Sequence, residues 1–378
     1  MIEKMQETIT LESSSLKNEE IVMQNKGMIH LGKYPYTYVR VAVMRTLLIK
    51  PAEYERLLKM SVPEIIRYLE ETEYKKEIDQ LALNYSGTEL IDQALNKNIV
   101  KTFQKLRRIS TKTLQKLVEI YFMRKDMHNL KTILRGKFTK SSNKEIEFLL
   151  VPAGLLTEDT LAALVKTESI EDMLRNKAIT QLISSEYLKP SLGEFNKTKD
   201  IAKLENALDK FYFNTLMSFV ARLSGQGMLF REFITTEIEI LNIMTIMRLK
   251  REGIPKKELI KFIISSPDKR QQRKIHGILN AASVDAVIEK LKKLGYAQTI
   301  KAGIDEYKKS ASLTTIEMDF RRYLLKKTLL FGHKNPLSVD TILSFMFAKD
   351  MEIRNLQLLI KCKQLNMPEN FIREQLVI

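Results

Sequence analysis

Apolar positions along this chain recur at intervals of three and four residues, the spacing that gathers them on one face of a helix. Leu106, Ile109, Thr113, Leu114, Leu117 and Ile120 follow it, and so do Leu208, Phe211, Tyr212, Thr215, Leu216 and Phe219. The alternation of Val39, Val41 and Val43 is a local strand signal. Val39, Val43 and Leu47 also share a helical face, and helix is the reading adopted there.

The pattern repeats. Asp126-Met-His-Asn129-Leu-Lys-Thr-Ile-Leu-Arg135, Glu239-Ile-Leu-Asn242-Ile-Met-Thr-Ile-Met-Arg248 and Glu352-Ile-Arg-Asn355-Leu-Gln-Leu-Leu-Ile-Lys361 each read acid, two residues, Asn, apolar, two residues, two apolars, base, and the asparagines stand 113 residues apart. Asp92 and Glu205 keep the 113-residue offset, Glu317 follows 112 residues later, and Pro255 and Pro368 are again 113 apart. Ser61, Ser169 and Ser283 open further helix-like stretches as capping residues. These coincidences in one frame predict three homologous helical units, 39–152, 153–265 and 266–378, preceded by a flexible arm, 1–38. The polar stretches Thr139–Lys144 and Ser265–Lys269 read as linkers. A period this long makes each unit domain-sized rather than a solenoid repeat. Like units joined head to tail close into a ring if each turns a third of a circle and form an open rod otherwise; the spacing leaves both open.

On a helix of 100° per residue, the acid three before each Asn falls inside the apolar stripe, the Asn lies at its edge, and the base six after it points away. A buried carboxylate needs a partner. Either Asp126, Glu239, Glu352 and their asparagines satisfy loop backbone or a helix end within their own unit, or they build the contact between units. Triplicate placement speaks for structure over catalysis. Arg135, Arg248 and Lys361 read as solvated or facing an acidic partner.

Composition supports the helical reading. Glycine (13) and proline (9) in 378 residues are about half the usual share, leaving few hairpin turns. An apolar content of 44% excludes disorder. The N-terminal MIEKMQETITLESSSLKNEE has no apolar signal-peptide core and no apolar run is long enough for a membrane span, so a soluble protein of a reducing compartment is expected. The single cysteine, Cys362, excludes a disulfide framework and multi-cysteine metal sites, and reads as an inert buried thiol. His30, His128, His276 and His333 lack ligand spacing. Gly225-Gln-Gly227 is no phosphate loop, and no isolated carboxylate pair marks acid–base chemistry. No catalytic residue, metal or cofactor is expected.

The formal net charge of +16 favours acidic partners. Its clusters, Lys101, Lys105, Arg107 and Arg108; Lys269, Arg270, Arg273 and Lys274; Arg321, Arg322, Lys326 and Lys327, are interspersed among 46 acids without tryptophan. They read as solvated faces or docking surfaces for acidic protein rather than a nucleic-acid groove. A basic helical-repeat scaffold for nucleic acid or acidic proteins is the alternative function.

Several motifs resemble the C subunit of archaeal A-type ATP synthases, a relative of the d subunit of eukaryotic V-type ATPases. They are Tyr34-Pro-Tyr36-x-Tyr38-x-Arg40, Tyr54-x-x-Leu57-Leu58, Asp126-x-x-Asn129-Leu130-Lys131-x-Ile133-Leu134-Arg135-Gly-Lys137, Pro152-Ala-Gly154, Leu204-Glu-x-x-Leu208-Asp209, Asn242-x-x-x-Ile246-x-Arg248-x-Lys250 and Ile372-Arg373-Glu374-Gln375-Leu376, covering 34–378. Val39, Val41 and Val43 depart from smaller or charged residues, and Lys361-Cys362-Lys363 from Arg-small-Lys. The resemblance implies an all-α, pseudo-threefold funnel on the cytoplasmic face of the membrane, one copy per complex. It implies a peripheral rotor adapter seated on the proteolipid ring, receiving the central shaft in its cavity and carrying no catalytic residues.

Overall fold

The computed structural model describes residues 29–378 except 226, 267, 335 and 336, and at 30, 31, 224, 225 and 331–334 the backbone alone. The expected arm therefore lies outside the described residues from 1 to 28, as do the side chains of His30 and His333. Its remainder is ordered: Ile29–Leu31 pairs in parallel with Leu223–Gly225, the two strands being three residues each, and a helix starts at Pro35. All other regular structure among the described residues is helical, so the class is all-α.

Six long helices organise the chain: α1 (Gly87–Ile109), α2 (Lys112–Thr139), α3 (Ala202–Val220), α4 (Met228–Arg251), α5 (Thr314–Lys334) and α6 (Val339–Gln364). The apolar run from Leu106 to Ile120 is not one helix. Ser110 and Thr111 take extended backbone, and the Ser110 hydroxyl donates to the Leu106 carbonyl at 2.6 Å, ending α1 before α2 starts. Periodicity continues across the break because both helices bury the face on that side.

Within each pair, α1 lies against α2, α3 against α4 and α5 against α6. Between pairs, α2 lies against α3, α4 against α5 and α6 against α1, so the six helices form a closed circuit. Fully buried Ile91, Leu95, Leu117, Leu130, Leu208, Ile234, Ile243, Phe320 and Met346 fill the contacts, each worth about 1.5–3 kcal/mol of apolar burial.

The ends of α2, α4 and α6 are built alike. Lys140, Gly253 and Asn366 take left-handed φ of 57°, 71° and 53°. The following N–H groups reach back to the Gly136, Leu249 and Cys362 carbonyls at 2.9, 2.9 and 3.0 Å. This is the Schellman closure, and only its middle copy uses glycine. Shorter helices fill the outside, and Ser169 and Ser283 cap two of them by accepting from the N–H groups of Asp172 and Ala286. The N–H of Ser61 donates to the Glu64 carboxylate at 2.7 Å at the head of a third.

Helix Pro35–Thr46 settles the valine alternation. Val41 and Met44 face the core, while Val39 and Val43 are 58% and 59% exposed.

Candidate functional site

The repeated polar residues lie on α2, α4 and α6, and their roles divide by position. Each asparagine clamps one peptide unit twenty-two residues onward. Asn129 donates to the Val151 carbonyl (2.8 Å) and accepts from its N–H (2.9 Å). Asn242 does the same at Ile264 (2.9 and 2.9 Å), and Asn355 at Val377 (2.7 and 3.0 Å). A side-chain amide matches one N–H and one C=O, so an irregular strand after the helix is buried with its polar groups satisfied.

Asp126 and Glu239 reach forward to the next stretch of chain, and Glu352 reaches back to the first. Asp126 accepts from the N–H groups of Leu155 and Leu156 at 2.7 and 2.9 Å. Burial pushes its carboxyl up to about 7 although those N–H groups pull it down. Gly154 makes room for it, since a Cβ there would lie 2.2 Å from Asp126 Oδ1. Glu239 accepts from the Tyr296 hydroxyl at 3.0 Å, with Lys274 Nζ 3.5 Å away. Glu352 accepts from the Ile49 N–H at 2.5 Å, from the Tyr74 hydroxyl, and from Lys349 at 2.9 Å. Lys349 is fully buried and also binds Glu73 (2.9 Å) and the Tyr74 oxygen (2.7 Å). Burial raises both the Glu73 carboxyl and the Tyr74 hydroxyl from their ordinary values.

The bases, read from sequence as solvated or facing an acidic partner, are exposed yet engaged. Arg135 grips Glu205 with two bonds of 2.5 and 2.8 Å, and Arg248 binds Glu317. Lys361 bonds Gln364 at 3.2 Å and draws down the Asp92 carboxyl, which burial raises. The partners Glu205, Glu317 and Asp92 are themselves the equivalent acids of the repeat.

Sequence reasoning missed three further groups. Lys137, Lys250 and Lys363, two residues beyond the bases, donate to the carbonyls of Val165 (2.8 Å), Ala281 (2.5 Å) and Leu58, each within two residues of the end of a short helix, in the following stretch for the first two and in the first stretch of the chain for the third. That triplet was visible in the frame of the repeat. Tyr74 and Tyr296 each stand 13 residues after a capping serine, Ser61 and Ser283, which was also a readable signal. Lys349 had none, because Met123 and Thr236 occupy the equivalent positions.

Arg124, Glu237 and Asp350 also keep the 113-residue spacing, and they meet one another's surroundings directly. Arg124 binds both Glu237 oxygens at 3.2 Å, and Lys125 binds Asp350 at 2.6 Å. Burial would raise the Asp350 carboxyl, but Lys125 and Arg124 outweigh it and hold it below the usual range. These contacts bring α2, α4 and α6 together at one place.

Other chemistry is sparse. Among the described residues no group of histidine, cysteine and carboxylate side chains is arranged to hold a metal ion. Cys362, expected in the core, is partly exposed, and burial still pushes its thiol up, away from thiolate. A cleft of about 680 Å³ between α1 and residues 144–162 is lined by Tyr85, Gln93, Lys97, Val100 and Glu147, a mixture without a nucleophile–base pair. The basic clusters are partly spent inside the fold: Lys101 pairs with Glu77, Arg107 with Glu119, Arg322 with Asp319 and Lys327 with Glu232. No helix among the described residues is long and apolar enough to cross a membrane.

Residues 37–375 match the model of the ATP synthase (C/AC39) subunit family. The A-type ATP synthase C subunit of Methanococcoides burtonii is 35% identical over 348 residues, 92% of this chain and 95% of that protein. The C subunits of the Methanosarcina acetivorans and Archaeoglobus fulgidus enzymes are 32% and 30% identical, covering 92% and 93% of this chain and 93% and 99% of theirs. The chain belongs to the ATP synthase (C/AC39) subunit family.

Proposed function

We propose that this family member is the non-catalytic rotor adapter of an A-type ATP synthase, a socket that joins the central shaft to the membrane proteolipid ring. Units 39–152, 153–265 and 266–378 form a pseudo-threefold funnel around the line marked by Arg124, Glu237 and Asp350. The funnel lies peripherally on the cytoplasmic face of the membrane, one copy per complex. The observation that carries this reading is the closed circuit of α1 to α6, with the repeated polar residues spent on its loops and seams. A part that passes torque needs stiffness, and such a closed circuit has no free end at which to flex.

Co-purification tests it. The tagged chain is isolated from detergent-solubilised native membranes and its companions identified by mass spectrometry. Recovery of proteolipid and shaft subunits together is expected. Recovery of nucleic acid, or of neither subunit, overturns the reading in favour of a basic scaffold.

A further inference from the structure

The three seams of the circuit are alike in backbone and unlike in charge. At the α2–α3 seam, Arg135 and Lys131 face Glu205 and Asp209, two cations against two carboxylates. At the α6–α1 seam, Lys361 faces Asp92, while Gln357 and Asn96 form a neutral hydrogen bond of 3.1 Å. At the α4–α5 seam, Arg248 and Arg321 both bind the one carboxylate of Glu317, Arg321 at 2.6 Å.

A third guanidinium stands beside this group. Arg354 of α6 is exposed and makes no hydrogen bond or ion pair with the described residues. Its guanidinium is held below the ordinary arginine value, first by burial of its surroundings and then by Arg321. The other carboxylate in reach, Asp350, is already bound by Lys125 at 2.6 Å. At the positions equivalent to Arg354, the other units carry His128 and Leu241. The excess of positive charge is therefore confined to one seam of three.

We infer that the α4–α5 seam, through Arg354, Arg321 and Arg248, is the docking point for an acidic protein segment, and that it fixes the rotational setting of whatever the funnel holds. Guanidinium groups bind carboxylates through a fork of N–H donors, and Arg321 already turns two of its own, Nε at 3.3 Å and Nη2 at 2.6 Å, onto Oε1 of Glu317. The three arginines come from three helices and do not converge with backbone N–H groups on one small pocket, as phosphate sites do. A threefold socket with equal walls would accept an occupant in three settings. One charged wall reduces these to one, which is specificity gained from electrostatic complementarity. This inference rests on the adapter reading, with the shaft as occupant.

The test uses the full chain and the purified shaft subunits of the same enzyme. Arg354→Glu is compared with His128→Glu and Leu241→Glu at the equivalent positions, all three checked for native helix content. Arg354→Glu is expected to weaken shaft binding by roughly tenfold or more, with loss of its salt dependence, and the other two by less than about twofold. A photo-crosslinking residue at 354 should capture an acidic shaft peptide not captured from 128 or 241. Equal weakening by all three variants, or one peptide captured from every position, overturns the inference while leaving the adapter reading intact. Failure of the unaltered chain to bind the shaft removes the adapter reading itself. Saturable binding of inorganic phosphate that Arg354→Glu abolishes, with shaft binding unchanged, assigns the seam to a small anion and also overturns it.

Discussion

The carboxylate of Glu352 accepts a 2.5 Å hydrogen bond from the backbone N–H of Ile49, 303 positions earlier in the chain. The corresponding contacts of Asp126 and Glu239 reach segments that follow them. Of the three seams, only α6–α1 joins stretches that do not follow one another along the chain, and there Glu352 is accompanied by Lys349, Glu73 and Tyr74. The polar cluster is richest where covalent continuity gives the least help.

Removing the Lys349 ammonium strands two carboxylates in the interior. Lys349→Met should lower stability by about 3–5 kcal/mol, the usual cost of breaking a buried pair. Lys349→Met with Glu352→Gln should cost less than the two single changes added together. Urea midpoints of the four proteins give the comparison; simple additivity would mean that the cluster is not a unit.

Each asparagine clamp holds two backbone groups that have no water to turn to. Asn242→Ala should destabilise by about 2–4 kcal/mol, and Asn129→Ala and Asn355→Ala by similar amounts. Hydrogen exchange at Ile264 checks the mechanism, because its amide loses its acceptor in the Asn242 variant and should exchange faster. Unchanged protection there would contradict the assignment.

Asp126 gives stability a pH dependence of defined sign. Its carboxyl sits at about 7 in the fold against 3.8 for the free side chain, so the folded state keeps a proton that the unfolded chain has released. Its contribution is therefore greatest at low pH and falls as pH rises from about 4 to 7, by up to about 4 kcal/mol. Asp126→Asn cannot titrate. The stability difference between the natural protein and this variant should shrink between pH 5 and pH 8 in parallel urea titrations. A difference independent of pH would show that the carboxylate is ionised throughout.

Much of this was legible in the sequence, for physical reasons that can be named. Helices announce themselves by the 3.6-residue period, and a polar residue that recurs inside an apolar stripe at Asn129, Asn242 and Asn355 must have a partner. The identity of that partner is tertiary. The helical wheel could not separate the asparagines, which stay within their own stretch, from the acids, which leave it. The break at Ser110 was hidden because the apolar period runs through it. The wheel position of the bases points outward, which left solvent and an acidic partner both open; outward on one helix is toward the acid of the next. Lys349 stands in one unit alone and left no pattern to find.

The helix ends offer a stabilising change. Lys140 adopts the left-handed conformation that Gly253 adopts in the equivalent place. Lys140→Gly should raise stability by about 1 kcal/mol, because the left-handed backbone no longer crowds a Cβ. Gly253→Ala should lower it by a similar amount, both read from thermal midpoints.

Mechanical coupling between shaft and ring is tested most directly in membrane vesicles carrying the enzyme with and without this chain. ATP hydrolysis and ion uptake are measured on the same vesicles. Without the chain, hydrolysis by the head should continue while ATP-driven uptake disappears, and adding the chain back should restore uptake. Uptake that persists in its absence would contradict a coupling role.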